Sequence, residues 1–226
     1  MVFFDRTVSQ SIMGRKPDVA VRERILQEAE HVLHLKGYNA ACMDEIAKAC
    51  GMGKANLFHH YGSKAQLALA VLDFKIAEFH TRKVEPLCAQ AAPEKAVEAM
   101  FDEGAKFFHG IGCKAGCFVG NIALEMSDHD EAFRERVGRF FAVWANSIAE
   151  CLERCKKSGY FKPTLDSKAS AEAIVALYEG AIMLTRSQRD AKIFKRVGGV
   201  ARSILEHHKA ENRRDNTMGP KTPCGC

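Results

Sequence analysis

The sequence predicts an all-α protein of about nine helices. Three observations carry that prediction. Apolar residues recur at three-to-four spacing along almost the whole chain. No stretch shows the period of two that a half-buried strand requires. Only six prolines occur in 226 residues, which leaves room for long helices.

In the stretch from Asp18 to Lys36, Val21, Ile25, Ala29, Val32 and Leu33 mark one buried face, and Gly37 follows as the stop. A short helix spans Met43 to Cys50, with Ile46 and Ala47 inward, and Gly51–Met52–Gly53 breaks it. A second short helix, Lys54 to Tyr61, is closed by Gly62. Ser63 and Gln66 form a capping box that opens a long helix to about Lys83, and Pro86 ends it. Pro93 opens the next helix, which runs to about His109.

A glycine-rich break, GIGCKAG (110–116), precedes a helix from Cys117 to Met126. The polar turn SDHD (127–130) leads into a long helix to Ser158. Gly159 and Pro163 mark a loop, and Asp166 or Ser167 caps a helix to about Arg189. The last helix runs from Asp190 to Lys209. The expected organisation is an N-terminal arm (1–17), a helix-turn-helix domain (18–64), a larger helical domain (65–209) and a polar, disordered tail (210–226). Met13, at the head of MGRKPD, is itself a natural start, which would make residues 1–12 an upstream extension.

Composition narrows the function classes. The chain is 47% hydrophobic and 27% charged, which excludes disorder as its main state. No apolar run is long enough to span a bilayer, and the first dozen residues lack the pattern of a secretory signal, so a cytoplasmic protein is expected. The net charge of +5 comes mainly from mildly basic ends flanking a nearly neutral middle. Nine cysteines, an odd number without an export signal, read as free thiols rather than a disulfide framework.

The chemistry concentrates in CMDEIAKACGMGKANLFHHYGSK (42–64). Ile46, Ala47 and Leu57 are spaced to pack the two short helices together. Lys54, Ala55, Asn56, His59 and His60 are left outside. A short helix presenting Lys, Asn and His, with a small Ala55 allowing close approach, suits a DNA major groove. Lys54 and Lys64 are placed to neutralise phosphate. A surface helical hairpin without a ligand is the plainer alternative.

From about Val19 to Lys64 the chain resembles the helix-turn-helix domain of TetR/AcrR-type bacterial transcriptional regulators. The match rests on Gly37, Tyr38, Ile46, Ala47, Gly51, Lys54, Leu57, Phe58, Tyr61, Ser63 and Lys64. The segment GCFVGNIALEMSD (116–128) is similar to the ligand-binding domain of one subgroup. The resemblance implies a homodimer on a palindromic double-stranded DNA operator, released by a small-molecule inducer. It puts Lys54, Ala55, Asn56, Phe58 and His59 on the recognition helix and Lys64 on phosphate. Cys42 and Met43, at the start of the preceding helix, complete the expected DNA-facing set. Phe58 stands for the usual Tyr, Gly53 for a common Ser, and Cys42 for the Ser or Thr that caps the helix.

In the second half, Ala169, Ala173, Ala176 and Gly180 form a small-residue stripe near Leu177, Ala181 and Leu184, the expected dimer face together with Gly198 and Gly199. Candidate pocket residues are Phe107, Cys113, Cys117, Phe118, Asn121, Trp144, Tyr178 and Met183, for each of which plain core is the commoner role. Glu125 can orient a ligand or cap a local network.

Cys113 and Cys117 flank the glycine-rich break. A helix N-terminus and Lys114 are expected to lower the Cys117 pKa, which makes a thiol sensor of electrophiles or oxidants the alternative reading. His109 with these two cysteines has metal-compatible spacing, but no metal or cofactor is expected. An enzyme is disfavoured: there is no phosphate loop, nucleophile elbow or zinc-hydrolase motif, and Glu28–His31 has no counterpart for a helical metalloenzyme.

Overall fold

A computed structural model describes residues 19–79 and 92–210, and all structural statements below concern those residues. They form nine helices and no strand. The expected arm (1–17), the end of the fourth helix near Lys83, Pro86 and the polar tail from 211 onward lie outside the described residues.

Helix α1 (Val19–Lys36) buries Ile25, Ala29 and Leu33, one residue per turn on a single stripe. Gly37 ends it with φ +84°, and its N–H donates to Leu33 O at 2.8 Å. Helix α2 (Met43–Ala49) starts at Cys42, whose N–H donates to the Glu45 carboxylate at 3.4 Å. Helix α3 (Lys54–His60) follows a turn in which Gly51 takes φ +65°. Ile46 and Leu57 are fully buried between the two, and Ala47 nearly so. Helix α4 (Lys64–Phe79) is capped by Ser63, whose Oγ accepts from Gln66 N–H at 3.1 Å. It packs Leu67, Ala68, Val71 and Leu72 inward.

Helix α5 (Pro93–Gly110) and the final helix α9 (Lys192–Glu206) pack closely through two glycine–phenylalanine contacts. A Cβ on Gly104 would lie 2.7 Å from the Phe194 ring, and one on Gly198 would lie 2.6 Å from Phe101 Cβ. Glycine in a helix interior costs about 1 kcal/mol relative to alanine. At Gly198 the neighbour that requires it is α5 of the same chain, rather than a second subunit as expected. Helix α6 (Phe118–Met126) has Cys117 as its cap, with Sγ accepting from Gly120 N–H at 3.3 Å. Asp130 caps α7 (Glu131–Lys157) and Asp166 caps α8 (Ser167–Gln188), each accepting a backbone N–H at 2.9 and 3.0 Å respectively. Arg189, in the left-handed region at φ +54°, ends α8.

The aromatic core joins the halves. Phe79 of α4 meets Phe140 and Trp144 of α7 at 4.8 Å between ring centres, and Trp144 continues to Tyr178 at 5.4 Å. Tyr38 packs edge-on to Phe133 at 5.3 Å. The chain's far end is held by Glu94, buried at the start of α5, which accepts from the Tyr160 hydroxyl at 2.8 Å and from Lys209 Nζ at 2.9 Å.

Candidate nucleic-acid interface and ligand cavity

The α2–turn–α3 unit displays one coherent polar face. Leu57 and Tyr61 point into the core, which turns Lys54, Ala55, Asn56, Phe58 and His59 to solvent. Lys54 Nζ lies 2.9 Å from Asp44 Oδ2, and both side chains are more than half exposed. Such a pair contributes little to stability, so its lysine is available to a phosphate. Cys42 is exposed, at the rim of this face.

Two residues of the expected DNA-facing set make contacts within the three-helix unit. Met43 is buried in the helix-turn-helix core, because the first turn of α2 must cover the apolar end of α1. Lys64 donates to the carbonyls of Tyr38 (2.9 Å) and Ala41 (3.0 Å), and sits 4.5 Å from the Tyr38 ring centre. Its ammonium satisfies the carbonyls left open by the α1–α2 turn.

That turn is also gripped from the second half. The Glu125 carboxylate accepts from the N–H groups of Tyr38 (3.1 Å) and Asn39 (2.9 Å), and it occupies the space a Cβ on Gly37 would need. His34 Nε2 bonds Gly116 O at 2.9 Å, and its ring meets Phe118 edge-on. Of the two roles open to Glu125, the structure displays the local network.

A cavity of about 270 Å3 lies between α6 and α8. Of the residues expected to line a pocket, Cys117, Asn121 and Met183 do so. The others lie outside this cavity. Phe107 is 55% exposed on the outside of α5, and Phe118 and Trp144 are core. Tyr178 belongs to an aromatic cluster with Phe101, Trp144 and Phe194. Cys113 is buried with φ +56° and offers its carbonyl to Arg189 Nη1 at 2.6 Å.

Glu179, Arg186 and Phe141 line the same cavity and were not anticipated. Glu179 had one signal, a lone acid inside the otherwise apolar run AIVALYEGAIML. Its fold neighbour Gly120 had none, whereas Cys117 was expected in the pocket. Burial pushes the Glu179 carboxyl up to about 7, against the opposing hydrogen bond from Cys117. Cys117 departs from expectation for the same reason. Burial and then the charge of Glu179 push its thiol above the ordinary range, outweighing the backbone donors at the start of α6. A low-pKa thiolate sensor therefore has no support at this position. Among the described residues no three His, Cys, Asp or Glu side chains gather as a metal site.

A solvent-facing recognition helix on a three-helix head, tied to a helical body with a cavity, defines a DNA-binding transcriptional regulator with an effector domain. Residues 25–71 match the bacterial regulatory proteins of the tetR family. Residues 93–200 match the C-terminal domain of LmrA/YxaF-like transcriptional regulators. The chain belongs to the TetR family of transcriptional regulators. It is 27% identical to the HTH-type transcriptional regulator LmrA of Bacillus subtilis, over 75% of this chain and 88% of that one. It is 22% identical to the HTH-type transcriptional repressor DhaR of Mycobacterium sp. strain GP1, over 79% and 87%. A TetR transcriptional regulator from Chloroflexus aurantiacus superposes with a TM-score of 0.75 at 25% identity, covering 84% of this chain and 96% of that one.

Proposed function

We propose that this regulator is a repressor that binds a palindromic operator as a homodimer and leaves it when a small molecule enters the α6/α8 cavity. The observation that supports this best is the exposed Lys54, Ala55, Asn56, Phe58 and His59 face around the buried Leu57. Lys54 neutralises phosphate, Asn56 and His59 reach base edges, and Ala55 lets the helix sit deep in the groove. That the relative DhaR is a transcriptional repressor supports the direction of regulation. Residues 18–64 act as the reading head and 65–209 as the regulatory body. The chain acts in the cytoplasm and performs no catalysis.

Dimerisation falls to α8 and α9, where Ala169, Ala176, Leu184 and Val200 are exposed. Release follows a population shift. Ligand displaces α6, and the Glu125 and Gly116 contacts carry that displacement to the α1–α2 turn. Helix α4, packed on α7, moves with it. The two recognition helices then miss the roughly 34–36 Å spacing of successive major grooves.

The test is a gel shift on the operator recovered by genomic footprinting. Lys54→Ala and His59→Ala proteins are expected to fold with unchanged melting temperature and to lose operator binding by about ten-fold or more. Binding that is unchanged in both variants would sink the assignment of this face.

A further inference from the structure

The α6/α8 cavity contains a carboxylate that no cation among the described residues balances. Glu179 sits in an apolar lining of Ala123, Leu124, Phe141, Ile182 and Met183. Within the described residues no Lys or Arg pairs with it, and its hydrogen-bond partner is the Cys117 thiol, a weak donor. Glu179 is largely but not fully withdrawn from solvent, and a carboxylate so placed without a cation is costly to retain. Gly120 packs directly against it: a Cβ there would lie 2.7 Å from Glu179 Oε2, so only glycine lets the carboxylate take this position. A second opening, of about 440 Å3, shares Phe141 and Glu179 with the first, so the carboxylate stands where the two meet.

Arg186 is the other charged group in the lining. It is exposed, and its Nη1 donates to Asn121 Oδ1 at 3.2 Å. Asn121 in turn donates to Ala115 O at 2.7 Å. The arginine therefore belongs to the rim, in water, while the acid lies deeper and is less exposed. An anion would meet only a screened partner at the mouth; a cation would meet a desolvated one inside.

We propose that this cavity binds a monocationic amphipathic amine, its apolar body against Phe141, Ile182 and Met183 and its ammonium group on Glu179. The proposal rests on the reading of the cavity as the effector site and adds the class of effector. The ammonium donates to the Glu179 oxygens and displaces the Cys117 thiol from them. The apolar body replaces water along α6 and α8.

Calorimetric titration of the full chain at about pH 8, where the carboxyl is mostly ionised, tests it with three probes of one shape: 4-phenylbutylamine, 4-phenylbutan-1-ol and 4-phenylbutanoate. The amine is expected to bind at least about ten-fold more tightly than the alcohol, as a charge-assisted hydrogen bond in a desolvated site requires. Glu179→Gln should erase that preference and leave alcohol binding unchanged. Arg186→Ala should tighten the amine, and it serves if the first variant does not fold. Equal affinity for amine and alcohol, a preference that survives Glu179→Gln, tightest binding by the carboxylate, or no binding by any probe overturns the proposal. Operator release separates the two levels. An amine that binds through Glu179 yet leaves the operator complex intact keeps the cation site and removes its reading as the effector site. Release by the alcohol as readily as by the amine does the reverse.

Discussion

Glu179 shows how one side chain takes its chemistry from its surroundings. Its carboxyl, ordinarily near 4.5, is held up to about 7 because burial penalises the charged form more than the Cys117 hydrogen bond favours it. The folded state therefore binds the proton more tightly than the unfolded chain. The resulting stability is complete below about pH 4.5 and is lost as pH rises through about 7. The Glu179→Gln protein, which cannot ionise there, should match the parent in acid and exceed it above neutrality by on the order of 3 kcal/mol. Urea unfolding across that pH range checks this; parallel curves would mean the site is more solvated than its geometry indicates. Lys64 gives the complementary lesson. Its ammonium is bonded to the carbonyls of Tyr38, Asn39 and Ala41. Lys64→Ala should then lower the melting temperature as well as operator affinity, since it strips the α1–α2 turn of a charged donor worth about 1.5–3 kcal/mol. Lys54→Ala, by contrast, should lower only the affinity.

At the scale of elements, helix ends were legible from single residues and helix contacts were not. Ser63 and Asp166 are caps in the sequence and caps in the structure, because their hydroxyl or carboxylate oxygens reach the first free N–H groups of the helix they open, and Asp130, at the end of the polar turn, does the same. Gly37 stops α1, but what demands glycine there also includes the Glu125 carboxylate arriving from α6. Gly198 was legible as a close approach, yet its partner, Phe101 of α5, was not. Gly198→Ala should cost stability despite the better helix propensity of alanine, with overpacking of about 1–3 kcal/mol against a propensity gain of about 1 kcal/mol. Gly138→Ala, on the exposed face of α7 with nothing near its Cβ, should gain about 1 kcal/mol. Thermal melts of the two variants side by side test whether α5–α9 packing is as tight as drawn.

For the whole molecule, the consequential feature is that the reading head is held at two places. Helix α4 meets α7 through Phe79 and through the Asp73–Arg136 ion pair at 3.0 Å. Helix α6 holds the α1–α2 turn through Glu125, with His34 reaching back to Gly116. Glu125→Ala should leave the unliganded protein on its operator but blunt release by effector, seen as a higher effector concentration for half-release in a gel shift. A dimer built on α8 and α9 predicts that Leu184→Glu yields a monomer by light scattering. Its operator affinity should fall by well over ten-fold, since one head alone forfeits the second half-site.

The sequence by itself determined the class of this protein. Helical periodicity, the glycine turn at 51–53 and the polar residues around Leu57 depend on local spacing, and local spacing decides which helix face is wet. It also determined the caps, whose partners lie two or three residues away. Tertiary structure alone decided the cavity between α6 and α8. Cys117 and Glu179 lie 62 positions apart, and neither residue's neighbours in sequence report that burial would bring them together. The N-terminus of α6 lowers a thiol's pKa only where water and a distant carboxylate do not outweigh it, and here desolvation and Glu179 do. The burial of Met43 and the exposure of Phe107 were hidden in the sequence for the same reason. Whether a side chain is core, clamp or surface depends on which helix packs over it, and that is settled by contacts the linear chain does not display.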